Sequence, residues 1–484
     1  MHPERRHLIA VIKAVFYGAL GALLTLVAGF VFYLNGRPEL EVWHTADLDE
    51  EFTVDSPVDS FADYLALEDR LFIQLEEQVY RRTGPAAEHE INRYRRGGLA
   101  DPGRWSPNWN RSYLLEADRP RAMVLLLHGL SDSPYSLRSM AQRLHGAGAT
   151  ALGLRVPGHG TAPSGLVRVR WQDMAAAVSL AVRHLAEKEP DLPLYIVGYS
   201  NGAALAVHHV LSGLDDPTVP RVAGLALLSP EIGVTGVAAL AVWQARLGQL
   251  LGMEKLAWNE ILPEYEPFKY GSFAVNAGDL SHRLTGEIQG QITRLKNAGQ
   301  LEAMPPILAF SSVIDATVQA PALVSQLFNR LPAGGHELVL LDINRQAEVE
   351  QLLTWSPDEM LAALQQAPRD TFELRLVTNE NDRSSNVVVR HWQHGRGEVS
   401  QEPLDLEWPR GVYSLSHVAL PFPPDDPLYG GYPTEPSPGI QLGNISIRGE
   451  RGALAFTEAS LVRLRWNPFY TYLEDLTLAF FGLD

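Results

Sequence analysis

The chain has 484 residues, 46% hydrophobic and 20% charged, with a mean hydropathy of -0.08. That composition excludes collagen-like, low-complexity and polytopic membrane classes. Forty Lys plus Arg against 57 Asp plus Glu give a net charge of -17. Phosphate binding needs a dense positive surface, and no basic stripe occurs, so a nucleic-acid partner is not expected. The absence of cysteine excludes disulfides, thiolate metal sites, a cysteine nucleophile and a lipid-modified cysteine anchor.

The first predicted element is a membrane span. Residues 14–34 carry no charge over 21 residues, which at about 1.5 Å per residue matches a hydrocarbon layer of roughly 30 Å. Arg5, Arg6 and Lys13 precede it, whereas Glu39, Glu41, Asp47, Asp49, Glu50, Glu51, Asp55 and Asp59 follow. The positive-inside rule puts residues 1–13 in the cytoplasm and the rest outside, periplasmic if the source is bacterial. A cleaved signal peptide would have a shorter apolar run and a small-residue cleavage site, whereas this run exits through Phe32-Tyr33-Leu34-Asn35. Residues 35–105 then read as an acidic stalk with an amphipathic helix from Phe61 to about Arg82.

From residue 106 short apolar runs alternate with helical patterns: strands at Ala122–Leu127, Ala149–Arg155, Leu194–Val197 and Val222–Leu228, with helices at Leu137–Ala147, Trp171–Glu187 and Ala203–Leu211. This alternation predicts right-handed βαβ units, a mostly parallel sheet flanked by helices, and an α/β fold. The pattern breaks at 231–300, read as a helical cap over the carboxyl ends of the strands. Its apolar part, Ile232–Met253, is long enough to suggest a second span, but Gln244, Arg246 and Gln249 favour a cap helix. The core resumes over 301–484, interrupted by a β-rich insertion at 344–410 and closed by an aromatic amphipathic helix from Asn467 to Asp484.

The sharpest motif is Gly198-Tyr199-Ser200-Asn201-Gly202, set between a strand and a helix. A serine there must occupy a tight, strained turn for its hydroxyl to project, and flanking glycines relieve the crowding, so Ser200 is the candidate nucleophile. His128-Gly129-Leu130-Ser131-Asp132 also ends an apolar strand. Acyl transfer develops negative charge on a carbonyl oxygen, and the backbone N–H groups of Leu130 and Asn201 are the natural donors for it. His128 reads as a structural hydrogen-bonding residue. Pro157-Gly158-His159-Gly160 is a glycine turn that can shape the cavity wall or position the cap. His208 and His209, adjacent on a helix, face different ways, and no HExxH-type spacing occurs, so neither a metal nor a cofactor is implied.

Together, HGLSDSPYSL, LRVPGHG, GYSNG and the following cap resemble the α/β-hydrolase family, specifically its monoacylglycerol lipase and lysophospholipase-like carboxylesterases, over roughly residues 110–345 plus a later histidine segment. The resemblance implies a Ser, Asp and His in that chain order and no cofactor. It places the acid at Asp315, after the strand at Pro305–Phe310, with Asp342 as a second candidate. The base is expected after the last strand. Of His336, His391, His394 and His417, the last ends a short strand and begins a loop, and is the candidate. The implied activity is hydrolysis of hydrophobic carboxylic esters at a membrane. A thioesterase, a peptidase or a catalytically silent membrane-tethered scaffold stays open.

Overall fold

The structure is a computed structural model describing residues 3–84, 91–233, 254–315, 320–347, 356–366, 371–393, 398–443 and 463–484. Most of the apolar run Ile232–Met253, read as a cap helix, and His394 lie outside the described residues.

Helix α1 spans Pro3–Asn35. Its segment Ile12–Asn35 contains an 18-residue window with a mean hydropathy of 2.1 that is not buried against the rest of the chain, so the helix is long and apolar enough to cross a membrane. A one-turn helix, α2 (Val42–Thr45), and the amphipathic α3 (Phe61–Gln78) follow. Ser60 caps α3, accepting the N–H of Asp63, and Tyr64, Leu67, Leu71 and Leu75 form its buried stripe. The acidic stretch predicted as a stalk is instead fastened to the domain. Glu39 pairs with Lys255, Asp47 with Arg168, Glu51 with Arg155 and Asp55 with Arg170, while Glu50 pairs with Arg70 of α3.

Among the described residues the domain is built on one ten-stranded sheet. Its strands are β1 (Tyr113–Leu115), β2 (Ala122–Leu127), β3 (Ala149–Leu154), β4 (Leu194–Tyr199), β5 (Gly224–Leu228), β8 (Ile307–Ser312), β9 (His336–Leu341), β10 (Phe372–Asn379), β11 (Asn386–Trp392) and β12 (Glu398–Glu407). They lie in the order β1-β3-β2-β4-β5-β8-β9-β10-β11-β12. From β3 to β10 every neighbouring pair is parallel, and β1, β11 and β12 add antiparallel edges. Buried on both faces, the central strands are continuous apolar runs. Alternate side chains of β2 enter opposite layers: Met123, Leu125 and Leu127 one core, Ala122, Val124 and Leu126 the other. The segment 344–410, predicted as an insertion, contributes β10 to β12 and so widens the same sheet. Pro403 sits in β12 at the sheet edge, where a missing N–H is tolerated.

Helices α4 (Arg138–Gly146), α5 (Gly165–Arg168), α6 (Trp171–Lys188), α7 (Asn201–Asp215) and α8 (Val275–Ala298) cover the sheet. In α8, Leu280, Leu284, Ile288, Ile292 and Leu295 face the same core that α7 lines, so this helix belongs to the covering layer rather than to the cap predicted over 231–300. What the described residues place over the site is the largely irregular stretch 254–274, with the small strands β6 (Trp258–Glu260) and β7 (Phe273–Ala274). The closing helix, α11 (Tyr470–Phe481), follows α9 (Ala320–Gln326) and α10 (Pro357–Gln366) in the chain. It packs on the sheet with Phe481 stacked on Tyr195 at 4.2 Å, and ends at Gly482 with φ 66°.

Candidate functional site

Residues 128–132, 200–201, 231 and 315 all follow the carboxyl ends of parallel strands, where open α/β sheets bind ligands. Ser200 stands between β4 and α7 with φ 53° and ψ -116°, a strained conformation for a residue with a side chain. The turn is held by hydrogen bonds at both of its main-chain groups. Its N–H donates to Leu228 O at 2.9 Å, and its carbonyl accepts from Ala203 at 3.0 Å and Glu231 at 3.2 Å. A Cβ at Gly198 would lie 2.5 Å from Ala203 Cα, and one at Gly202 only 2.1 Å from Leu127 O. The two glycines are therefore required because α7 starts hard against the ends of β2 and β4.

Asp315, fully buried at its side chain, presents Oδ1 at 3.5 Å from Nδ1 of His417. His417 opens a short turn, Ser416–Leu420, pinned by Ser416 Oγ donating to Leu464 O at 2.9 Å. Burial, then the positive charges of Lys269 and Arg463, hold the imidazole down to about 3, so it is neutral and able to accept a proton at neutral pH. Ser200, His417 and Leu130 line one cavity of about 480 Å³. The other candidates are engaged elsewhere. Asp342 takes Arg345 through both oxygens at 2.9 Å and the Thr378 hydroxyl at 2.7 Å. His336 accepts Ile307 N–H at 3.1 Å, and His391 meets Glu373 at 2.8 Å on the outer hairpin.

The loop after β2 is braced from below and above. His128 Nε2 accepts Val156 N–H at 3.1 Å, which leaves Nδ1–H to donate to Gly129 O at 2.9 Å, so this ring ties β2 to β3. From above, Lys269 pairs with Asp132 at 3.1 Å and donates to Ser131 Oγ at 3.1 Å, while Tyr270 N–H reaches Ser131 O at 2.8 Å. The Pro157–Gly160 turn holds the same tyrosine, whose hydroxyl accepts Thr161 N–H at 2.9 Å and donates to Gly158 O at 3.2 Å. Among the described residues, the main-chain N–H groups of Leu130 and Asn201 meet no main-chain acceptor. The Asn201 N–H also stands at the start of the 15-residue α7, whose aligned peptide dipoles favour negative charge.

Several cavity residues carried no sequence signal. Glu231 accepts Asn201 Nδ2 at 3.3 Å, and burial raises its carboxyl above the usual range. Glu266 pairs with Arg465 at 2.7 Å and accepts the Tyr429 hydroxyl at 2.7 Å. Burial alone would raise Glu266, but the Arg465 charge and these hydrogen bonds win and hold it below the usual carboxylate range. Leu262, Phe273, Val418 and Phe422 supply apolar walls. A second cavity, about 590 Å³, lies between the segment His44–Thr53 and residues 164–170, and contains none of these groups. Among the described residues no cluster of three His, Cys, Asp or Glu is placed to hold a metal ion.

Residues 118–284 match the family model described as serine aminopeptidase, S33. The domain has the α/β-hydrolase fold. Over 120 residues the chain is 28% identical to the thermostable monoacylglycerol lipase of Bacillus sp. (strain H-257), an overlap of 24% of this chain and 43% of that protein. The chain thus spans less than half the length of this curated relative. Among solved structures, a metagenome-derived lipolytic enzyme is 21% identical, with a TM-score of 0.37, covering 54% of this chain and 98% of its own. The monoacylglycerol lipase of Paleococcus ferrophilus is 15% identical, with a TM-score of 0.36, covering 48% of this chain and 89% of its own.

Proposed function

We propose that the α/β-hydrolase is a membrane-anchored serine hydrolase that cleaves carboxylic esters through an acyl-enzyme. Ser200 attacks the acyl carbonyl while His417 takes its proton, returns it to the leaving alcohol, and then deprotonates the water that releases the acid. Asp315 fixes the imidazole tautomer and stabilises the imidazolium, and the Leu130 and Asn201 N–H groups receive the oxyanion. What carries this reading is the convergence on one cavity of a serine on a strained turn and a neutral imidazole backed by a buried carboxylate. A fluorophosphonate probe tests it: labelling of the full chain, abolished by Ser200→Ala and kept in Ser179→Ala, supports the nucleophile, and no labelling of the parent favours a silent scaffold.

The cavity pairs apolar walls with Glu260, Lys269, Arg463 and Arg465, a lining suited to an ester with an apolar acyl chain and a polar alcohol. The Bacillus relative, named a monoacylglycerol lipase, agrees with that choice. A p-nitrophenyl ester series tests it, since a preference for acetyl over octanoyl would overturn the hydrophobic acyl site. A second reading, an aminopeptidase, rests on the description of the matching family and on Glu231 and Glu260, carboxyls able to hold an ammonium group. Turnover of aminoacyl p-nitroanilides above that of the esters would favour it.

Helix α1 is the anchor in this reading. Arg5, Arg6 and Lys13 on one side and the acidic stretch on the other orient the hydrolase domain outward, periplasmic in a bacterium. Protease digestion of intact spheroplasts that removes the domain, and leaves it protected before outer-membrane disruption, supports this orientation.

A further inference from the structure

The chain does not swing free after the apolar helix. Two residues past its last residue, Asn35, the Arg37 guanidinium donates to Lys255 O at 2.8 Å and to Asn259 O at 3.0 Å. The same guanidinium stands 5.9 Å from the ring centroid of Tyr33, inside the helix. Lys255 answers with two bonds, to Arg37 O at 3.2 Å and Glu39 at 2.7 Å. Asn259 belongs to β6, and Asn259 and Glu260 line the cavity that holds Ser200. The end of the helix and the rim of the cavity are thus joined by one arginine side chain.

Lengths turn this contact into an orientation. Two residues extend at most ~7 Å. One headgroup layer is about 5 to 8 Å thick. With α1 spanning the bilayer, Arg37 sits at headgroup level and holds β6 directly above it. A long flexible stalk would have allowed any orientation; this tether leaves little choice.

We propose that the face carrying β6 is docked on the outer surface of the bilayer, so that the Ser200 cavity takes its ester from the lipid layer rather than from bulk water. The partner is the lipid surface itself. This rests on the anchor and triad readings above, and the experiment separates them.

The full chain is reconstituted in phosphatidylcholine vesicles, and a second form carries a Gly/Ser insertion of about a dozen residues between Gly36 and Arg37, which spans ~20 Å. Each form is assayed on p-nitrophenyl palmitate dissolved in the bilayer and on water-soluble p-nitrophenyl butyrate. The insertion should lower palmitate turnover about tenfold, because the cavity is no longer presented to its source, and leave butyrate turnover within about twofold. An unchanged palmitate-to-butyrate ratio overturns the docking. A chain that fails to float with vesicles overturns the anchor and the docking with it. If the parent hydrolyses neither ester, the triad reading falls, and a fluorescence measurement decides the docking. The chain has no cysteine, so Asn259→Cys accepts a single bimane label. Quenching by lipids with nitroxide headgroups, lost on insertion, supports docking; equal quenching in both forms overturns it.

Discussion

Arg155 and Glu68 meet at 3.1 Å with both side chains buried, and the same guanidinium holds Glu51 through Nη2 at 2.9 Å and Nη1 at 3.0 Å. One residue after β3 therefore binds both α3 and the loop before it to the sheet. Removing the cation strands two carboxylates away from water. Arg155→Leu should destabilise the domain by about 3 to 5 kcal/mol, read from urea unfolding of the detergent-solubilised chain by tryptophan fluorescence. Arg155→Lys should recover only part of that loss, because an ammonium cannot offer a fork to one carboxylate and a third donor to another.

Gly202 gives a second, sharper stability test. A Cβ there would sit 2.1 Å from Leu127 O and 2.5 Å from His128 O, both main-chain atoms that cannot rotate away. Gly202→Ala should cost about 3 kcal/mol or more and remove fluorophosphonate labelling, since the shift falls together on the loop and the turn proposed to supply the oxyanion donors and the nucleophile. Gly286→Ala, on the exposed side of α8 with nothing within 4 Å, should leave labelling intact and slightly raise stability.

The contrast between these sites explains what the sequence disclosed. The strained turn at Ser200 was legible because strain, glycine and the strand-to-helix switch are local properties of five residues. The parallel sheet was legible because strands buried on both faces are written as unbroken apolar runs. The acidic stretch looked like a stalk because its carboxylates lie close together in sequence whereas the partners of Glu39, Asp47, Glu51 and Asp55, namely Lys255, Arg168, Arg155 and Arg170, are 100 or more residues away. For the same reason Lys269 and the Glu266–Arg465 pair gave no signal: each becomes meaningful only when the fold brings it over the cavity. Segment 344–410 read as an insertion because nothing in Phe372–Asn379 says that its neighbour is β9 rather than a strand of its own sheet.

Buried neutral histidines couple stability to acid. Burial holds His336 at about 4 against 6.5 when unfolded, so below 6.5 the unfolded chain binds the proton that the folded one refuses. The contribution is fully present above pH 6.5 and is lost as pH falls toward 4. His336→Gln can still accept Ile307 N–H but does not titrate. The stability of the parent relative to this variant should therefore grow with pH between 4 and 6.5, by at most about 1.4 kcal/mol per pH unit, and be constant above that range. Denaturation midpoints measured across that interval would settle it, and a pH-independent difference would remove His336 as a linked group.

Asp315→Asn keeps the shape of the acid and removes its charge. If Asp315 fixes the tautomer of His417, kcat should fall about 10⁴-fold with little change in KM. Asp342→Asn, which loosens the Arg345 fork on the far side of β9, should lower stability and leave kcat within about twofold.

The pH dependence of turnover tests the base itself. As the proposed base, His417 would work only when neutral, so the acid limb of kcat/KM should follow its proton affinity, and burial together with Lys269 and Arg463 should move that limb down from 6.5 toward about 3. The parent should hold a flat kcat/KM between pH 6 and pH 8. Lys269→Met removes one positive charge that disfavours the imidazolium, so its acid limb should move upward, toward the ordinary histidine value. A downward move, or none, would mean that the titrating base is not the group beside Lys269. Because Lys269 also braces Asp132 and Ser131, the plateau of the variant should fall as well, and only the position of the limb reports on His417.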